Sequence, residues 1–245
     1  FSFGYDNKLC DSVYGGLGAG YSHTNLHWNR GMGKANIQGY YLGAYATKYN
    51  NAYYLDASLL GYVNHHRVRR NIHFADIDRH AKDNHHSYGF SPHFGAGLYL
   101  NYCNIEVTPF FDVDYYFVQQ NRIREHGAES LNLHVKRNQS HLLRVESGLK
   151  LSKCYQLGRG RLIPSGRISW VGHRVMGGKK YTSSFQGTPT NFSVYGTNRC
   201  FNQLELGAGL QYLINEKFAI NARYDAELGR KRQEQQVNFE LNYRF

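Results

Sequence analysis

The sequence predicts an all-β protein: a transmembrane antiparallel up-and-down β-barrel of the bacterial outer membrane, with about eleven strands present of a twelve-strand domain. Three observations carry the prediction. Apolar and polar residues alternate with period two along almost all of the 245 residues, the pattern of strands with one oily and one wet side. The alternating stretches run to roughly 9–15 residues, the length of a tilted membrane strand, whereas strands of a soluble β-sandwich average about 5–6. Connections alternate between short and long, as at the two rims of such a barrel. Composition agrees, because 26 glycines, 21 tyrosines and 14 phenylalanines against 4 prolines supply interface rings and a thin wall while leaving the ladders unbroken. No run approaches the ~20 apolar residues of a membrane helix.

The elements follow in order. Phe1, Phe3 and Tyr5 alternate with Ser2, Gly4 and Asp6, and Leu17, Ala19 and Tyr21 with Gly16, Gly18, Gly20 and Ser22. A third strand, about 35–48, is rich in Tyr and Gly on both faces, so its faces stay unassigned. Tyr53, Leu55, Ala57 and Leu59 oppose Tyr54, Asp56 and Ser58; Phe90, Phe94, Ala96 and Leu98 oppose Ser91, His93, Gly95 and Gly97. The segment 105–119 is the clearest, with Ile105, Val107, Pro109, Phe111, Val113, Tyr115 and Phe117 against Glu106, Thr108, Asp112, Asp114 and Tyr116. Four more follow, around 143–151, 161–170, 204–212 and 218–228. The chain closes on Val237, Phe239, Leu241, Tyr243 and Phe245 alternating with Asn238, Glu240, Asn242 and Arg244.

Short connections fall near 8–11, 49–51, 103–104, 153–161 and 215–217, and long polar ones near 23–34, 64–86, 121–140, 172–202 and 229–236. Short periplasmic turns and long outer loops put the C-terminus on the periplasmic side. Barrels of this kind carry an even number of strands with both ends on one side, so eleven strands imply an absent upstream partner. The final strand, 229–245, is therefore expected to show an unpaired edge or to pair imperfectly with 1–9. Without a signal peptide, an envelope protein of this sequence reads as the C-terminal part of a longer polypeptide.

The formal charge of +11 does not gather into one stripe, which argues against nucleic acid and for basic segments facing an anionic lipid surface or a pore mouth. Cys10, Cys103, Cys154 and Cys200 form no CxxC pair and no zinc spacing. The first three fall in short turns and Cys200 near the opposite rim, so Cys200 is not expected to bridge the others. His65, His66, His73, His80, His85 and His86 share one stretch read as a solvated outer loop rather than a metal site. Asp83 and His85 are available for acid–base work, but no motif fixes a nucleophile; no catalytic residue, metal or cofactor is expected.

The chain resembles the C-terminal β-domain, or translocator, of autotransporters (type V secretion). The resemblance rests on Phe3-Gly4-Tyr5-Asp6, Leu17-Gly18-Ala19-Gly20-Tyr21-Ser22, Tyr41-Leu42-Gly43-Ala44-Tyr45 and Tyr54-Leu55-Asp56-Ala57-Ser58-Leu59 followed by Arg70. Val107-Thr108-Pro109, Glu125-His126-Gly127, Leu206-Gly207-Ala208-Gly209-Leu210, Tyr224-Asp225-Ala226 and Tyr243-Arg244-Phe245 complete it in family order. It implies an outer-membrane barrel that anchors an N-terminal passenger of the same polypeptide and mediates its passage to the cell surface. The implied partners are outer-membrane lipid and lipopolysaccharide, the passenger, and the barrel assembly machinery. That machinery would read the terminal strand through Val237, Phe239, Leu241, Tyr243 and Phe245. The family's first strand and pore-spanning helix are not in this chain, and four cysteines are more than the family pattern carries. The wet lumen such a domain needs falls to the polar faces: Asp6, Asp56, Glu106, Asp112, Asp114, Arg144, Glu146, Lys150, Arg167, Glu205, Arg223, Asp225, Glu227, Glu240 and Arg244. A general porin would share such a lumen, and an outer-membrane barrel enzyme would share the wall.

Overall fold

The structure, a computed structural model, describes residues 1–158, 160–196, 200–215, 217–229 and 233–243. The first strands are β1 (Ser2–Cys10), β2 (Val13–Trp28), β3 (Gly33–Tyr49), β4 (Tyr53–Phe74), β5 (Ile77–Leu98), β6 (Leu100–Tyr102), β7 (Ile105–Gln120), β8 (Ile123–Arg124) and β9 (Leu133–Val135). They are followed by β10 (Asn138–Ser152), β11 (Tyr155–Leu157), β12 (Gly160–Gly177), β13 (Lys180–Phe185), β14 (Asn191–Tyr195), β15 (Phe201–Leu213), β16 (Phe218–Gly229) and β17 (Gln233–Tyr243). Eleven of them pair antiparallel in chain order, β1-β2-β3-β4-β5-β7-β10-β12-β15-β16-β17, with β6 and β11 as short continuations beside β7 and β12. Each alternating stretch of the sequence lies in one of these eleven. Helical structure among the described residues is limited to 3-10 turns at Asn29–Gly31 and Glu129–Leu131.

The sheet curls so that strands far apart in the order share one interior. The Lys150 ammonium on β10 donates to the Tyr54 hydroxyl on β4 at 3.4 Å, across β5 and β7. Thr47 on β3 and Arg223 on β16 line the same cavity of about 380 Å³. At the seam, β1 and β17 are the two edges, and they do not pair with each other among the described residues. The unpaired edge expected of the terminal strand is present.

Burial is inverted relative to a soluble sandwich. Leu42, Phe94, Ile168, Leu210 and Phe239 are exposed on the convex face, while Glu146 is 1% exposed and Asp114, Ser169, Gln203 and Glu205 are buried on the concave one. An apolar outside and a polar inside fit a sheet whose solvent is lipid on one side and water on the other.

Several connections differ from the sequence reading. Residues 23–34 and 64–86 were expected as loops, yet β2–β3 and β4–β5 run on as hairpins, the latter with 22 residues in each arm and a turn at 75–76. Along these extensions polar residues occupy both faces, so hydrophobic alternation vanishes although backbone pairing continues. The histidine cluster therefore sits on ordered strands: His65 pairs with His86 and His66 with His85, the latter rings stacked at 4.7 Å. No group of three or more metal-binding side chains is found among the described residues. The stretches 121–140 and 172–202 hold a second small sheet, ordered β14-β13-β9-β8. Cys154, expected in a turn, lies on an extended hairpin, because Lys153 N–H bonds Pro164 O and Tyr155 pairs with Leu162. Cys103 sits in a two-residue turn with Asn104, both at positive φ (50° and 62°), the backbone of a type I′ hairpin. All four cysteines are exposed and unbridged.

Candidate functional site, the charged lumen

Register decides which side chains meet in the interior. Thr47 pairs with Asp56, Asp56 with Gly95, Gly95 with Asp112 and Asp112 with Glu146, one row on a single face of β3, β4, β5, β7 and β10. The neighbouring row runs Ser58, His93, Asp114, Arg144 and His173. Across the other half, Lys150 pairs with Arg167, Arg167 with Gly207, Gly207 with Asp225, and Glu205 with Glu227. Asp56, Glu106, Asp112, Asp114, Arg144, Glu146, Arg167, Glu205, Arg223, Asp225 and Glu227 thus all fall on the concave face.

Six of these join through His93 into a belt of alternating charge from β4 to β15. His93 bridges Asp56 at 2.9 Å and Asp114 at 2.7 Å through its two ring nitrogens. Arg144 reaches Asp114 at 3.2 Å, Glu146 at 2.8 Å and Glu205 at 2.9 Å. Arg167 donates to Glu146 and approaches Glu205 at 3.4 Å; Ser169 Oγ donates to Glu146 at 2.5 Å. A carboxylate as buried as Glu146 is tolerable because guanidinium and hydroxyl donors surround it. The other lining groups stand apart from the belt. Arg223 pairs with Asp225 at 2.7 Å, Glu106 accepts from Ser152 Oγ at 3.4 Å, and Glu227 lies opposite Glu205.

His93 and Phe110 were the links that the sequence reading did not single out. His93 was visible only as one polar residue on its strand; its importance comes from lying opposite Asp114 in the register. Phe110 is an aromatic on the polar face of β7, buried, with the Lys150 ammonium 4.6 Å and the Arg167 guanidinium 4.8 Å from its ring centre. Two cations on one ring face the quadrupole's negative side. Small residues make room for the belt. A Cβ on Gly95 would lie 2.6 Å from an Asp56 oxygen and 2.7 Å from an Asp112 oxygen, so the wall must be bare backbone there.

The small sheet is tied to the inner face of the β4–β5 hairpin. Arg70 donates to both Glu125 oxygens, at 3.0 and 2.6 Å, and to Leu131 O at 3.0 Å. Arg79 meets Glu129 at 2.9 Å, and Asp83 accepts the Arg124 N–H at 3.0 Å. The Asp83–His85 pair is real, at 2.6 Å and buried, but Gln120 stands 3.2 Å from the other ring nitrogen, where a nucleophile would need to be. On β17, Val237, Phe239, Leu241 and Tyr243 form one convex-face stripe with Tyr224, Ala222, Ile220 and Phe218. Phe245 and Arg244 lie outside the described residues.

The family model of the autotransporter beta-domain matches residues 1–225. The chain belongs to the autotransporter β-domain family. It is an outer-membrane β-barrel that mediates translocation of a passenger polypeptide, and the family is one of secretion rather than of catalysis. The fold agrees with solved autotransporter β-domains. That of the Bordetella autotransporter BrkA has 20% sequence identity and a TM-score of 0.73, with 100% of this chain and 89% of that one covered. The translocator domain of NalP from Neisseria meningitidis has 17% identity and a TM-score of 0.77, covering 100% and 79%. A Pseudomonas aeruginosa FadL homologue shares the barrel more distantly, at 11% identity and a TM-score of 0.61, covering 100% and 66%. No curated protein matches the sequence.

Proposed function

We propose that the belt-lined lumen of this autotransporter β-domain is the hydrated route for its passenger, and that the lining acts without catalysis. The supporting observation is the Asp56–His93–Asp114–Arg144–Glu205–Arg167 belt on a face opposite the exposed apolar band. An extended polypeptide crossing a membrane must keep its peptide groups hydrogen-bonded. A lumen of mutually neutralised charges offers water and polar partners without a field of one sign that would hold the chain. In this reading the long β4–β5 hairpin and the small sheet face outward, and the short-turn rim and the C-terminus face the periplasm. The exposed edges of β1 and β17 need backbone partners in lipid, and one further strand would bring the ring to an even twelve. The apolar stripe of β17, with Phe245, is the part offered to the barrel assembly machinery.

The test is photo-crosslinking to a passenger stalled in transit. Crosslinking side chains at positions 56, 167 and 223 are expected to capture the passenger, and those at 55, 168 and 222, on the opposite face, are expected not to. Equal capture from both faces, or none from the inner positions, would remove the lumen as the route.

A further inference from the structure

The convex face of β2–β5 carries a feature that translocation does not use. Tyr21, Tyr40 and Tyr88 lie in one register row, with Tyr21 and Tyr40 in ring contact at 5.3 Å, and exposed apolar residues such as Leu42 and Phe90 lie below them. Such a row marks the upper membrane interface. Six residues further along the strands runs a second row: His27 pairs with Lys34, Lys34 with Arg69, Arg69 with Lys82, and Lys82 with His126. These five residues line one concavity. At about 3.4 Å per residue and a tilt near 45°, the row stands roughly 14 Å above the tyrosines.

Lys34, Arg69 and Lys82 are neighbours of like charge, and directly opposed like charges destabilise a sheet. All three are exposed, and none makes an ion pair or side-chain hydrogen bond among the described residues. The acids nearby are already engaged: Asp78 by His73 at 2.9 Å and Glu129 by Arg79 at 2.9 Å. On the inner face, by contrast, the cations Arg144 and Arg167 are closely neutralised by carboxylates. A row left uncompensated just above the aromatic interface fits an anionic group supplied by the outer leaflet.

We propose that Lys34, Arg69 and Lys82 form a binding surface for the phosphorylated saccharide headgroup of lipopolysaccharide, with His27 and His126 at its ends. The Arg69 fork suits a phosphate. Three cations acting on one multivalent headgroup give a salt-sensitive contact that fixes one side of the barrel against the leaflet. The surface rests on the outward placement of the long hairpins proposed above. The test is therefore made in detergent, where placement plays no part, so that its failure leaves the translocation route untouched.

The protein is refolded in lipopolysaccharide-free detergent and titrated with purified lipopolysaccharide and with the same material after enzymatic dephosphorylation. The phosphorylated form is expected to bind at least tenfold more tightly. The variant K34Q/R69Q/K82Q should lose that tenfold preference, while K8Q/K153Q/K217Q, with the same change in charge on the short-turn rim, should keep it. Heat-modifiable electrophoretic mobility checks that each variant is folded, and single substitutions replace the triple variant if it is not. No preference in the wild type, unchanged binding in the row variant, or equal loss in the control would each overturn the proposal.

Discussion

Replacing Arg144 by methionine removes the hub of the lumen belt while keeping much of the side-chain volume. Arg144 serves three carboxylates, at 3.2 Å (Asp114), 2.8 Å (Glu146) and 2.9 Å (Glu205), and its side chain is only 16% exposed. Removing one partner of a buried ion pair costs about 3–5 kcal/mol, chiefly because the other charge stays behind unpaired. Here the damage is shared. Glu146 keeps Arg167 and the Ser169 hydroxyl, and Asp114 keeps His93, whereas Glu205, among the described residues, keeps Arg167 alone, at 3.4 Å. The expected cost is therefore about 2–4 kcal/mol. Arg223→Met is the comparison: its side chain is 45% exposed and, among the described residues, pairs with Asp225 alone, so the expected cost is about 0–1 kcal/mol. The measurement is the denaturant midpoint of the barrel in detergent, read by heat-modifiable mobility and converted with a common slope. Adding Glu205→Gln to R144M should restore about 1–2 kcal/mol, since it neutralises the carboxylate left with the weakest remaining contact. If R144M falls within about 0.5 kcal/mol of the wild type, or R223M costs as much, the belt does not hold the wall in the way its geometry indicates.

Three other expectations follow, two from the geometry and the last from the sequence. Gly148→Ala places a methyl 2.4 Å from the Ile168 carbonyl oxygen and 2.4 Å from Ser169 Cβ, so it should destabilise the sheet by about 1–3 kcal/mol; Gly166→Ala meets nothing within 4 Å and should be near neutral, and equal midpoints would refute the close approach. Arg70→Met breaks the fork to Glu125 and should raise amide exchange across β8 and β9 while leaving the heat-modifiable barrel intact; unchanged exchange there would show that the small sheet is held by something else. Deleting Phe245 should lower the yield of assembled barrel in the outer membrane, and an equal yield of heat-modifiable, surface-exposed protein would dispose of the terminal strand as an assembly signal.

The polar face of the strands was readable from the sequence because a period of two is local. Once Leu55 is placed toward lipid, Asp56 must face the lumen, and the same holds for Glu106, Glu146 and Glu205. Strand 35–48 resisted that reading because Tyr40, Tyr41 and Tyr45 occupy both faces; tyrosine suits a headgroup and a wet lumen alike, and only pairing shows Tyr40 outward and Tyr41 inward. The β4–β5 extension was hidden for a related reason. Where both faces are wet, nothing in the hydropathy distinguishes a hairpin arm from a loop, and the pairing of His66 with His85 is a fact of register.

By itself, the sequence determined the wall: an all-β chain, eleven alternating strands, their order, and which residues of nearly every strand meet water or lipid. These properties are set within a few residues of chain by the pleat and by a solvent that differs on the two sides. The tertiary structure alone decided what the inner residues do to one another. That His93 joins Asp56 to Asp114, that Arg144 spans three carboxylates, and that Lys34, Arg69 and Lys82 stand in an uncompensated row depend on how each strand is offset against the next. A one-residue slip would undo every one of these contacts, and that offset emerges only when the strands pair.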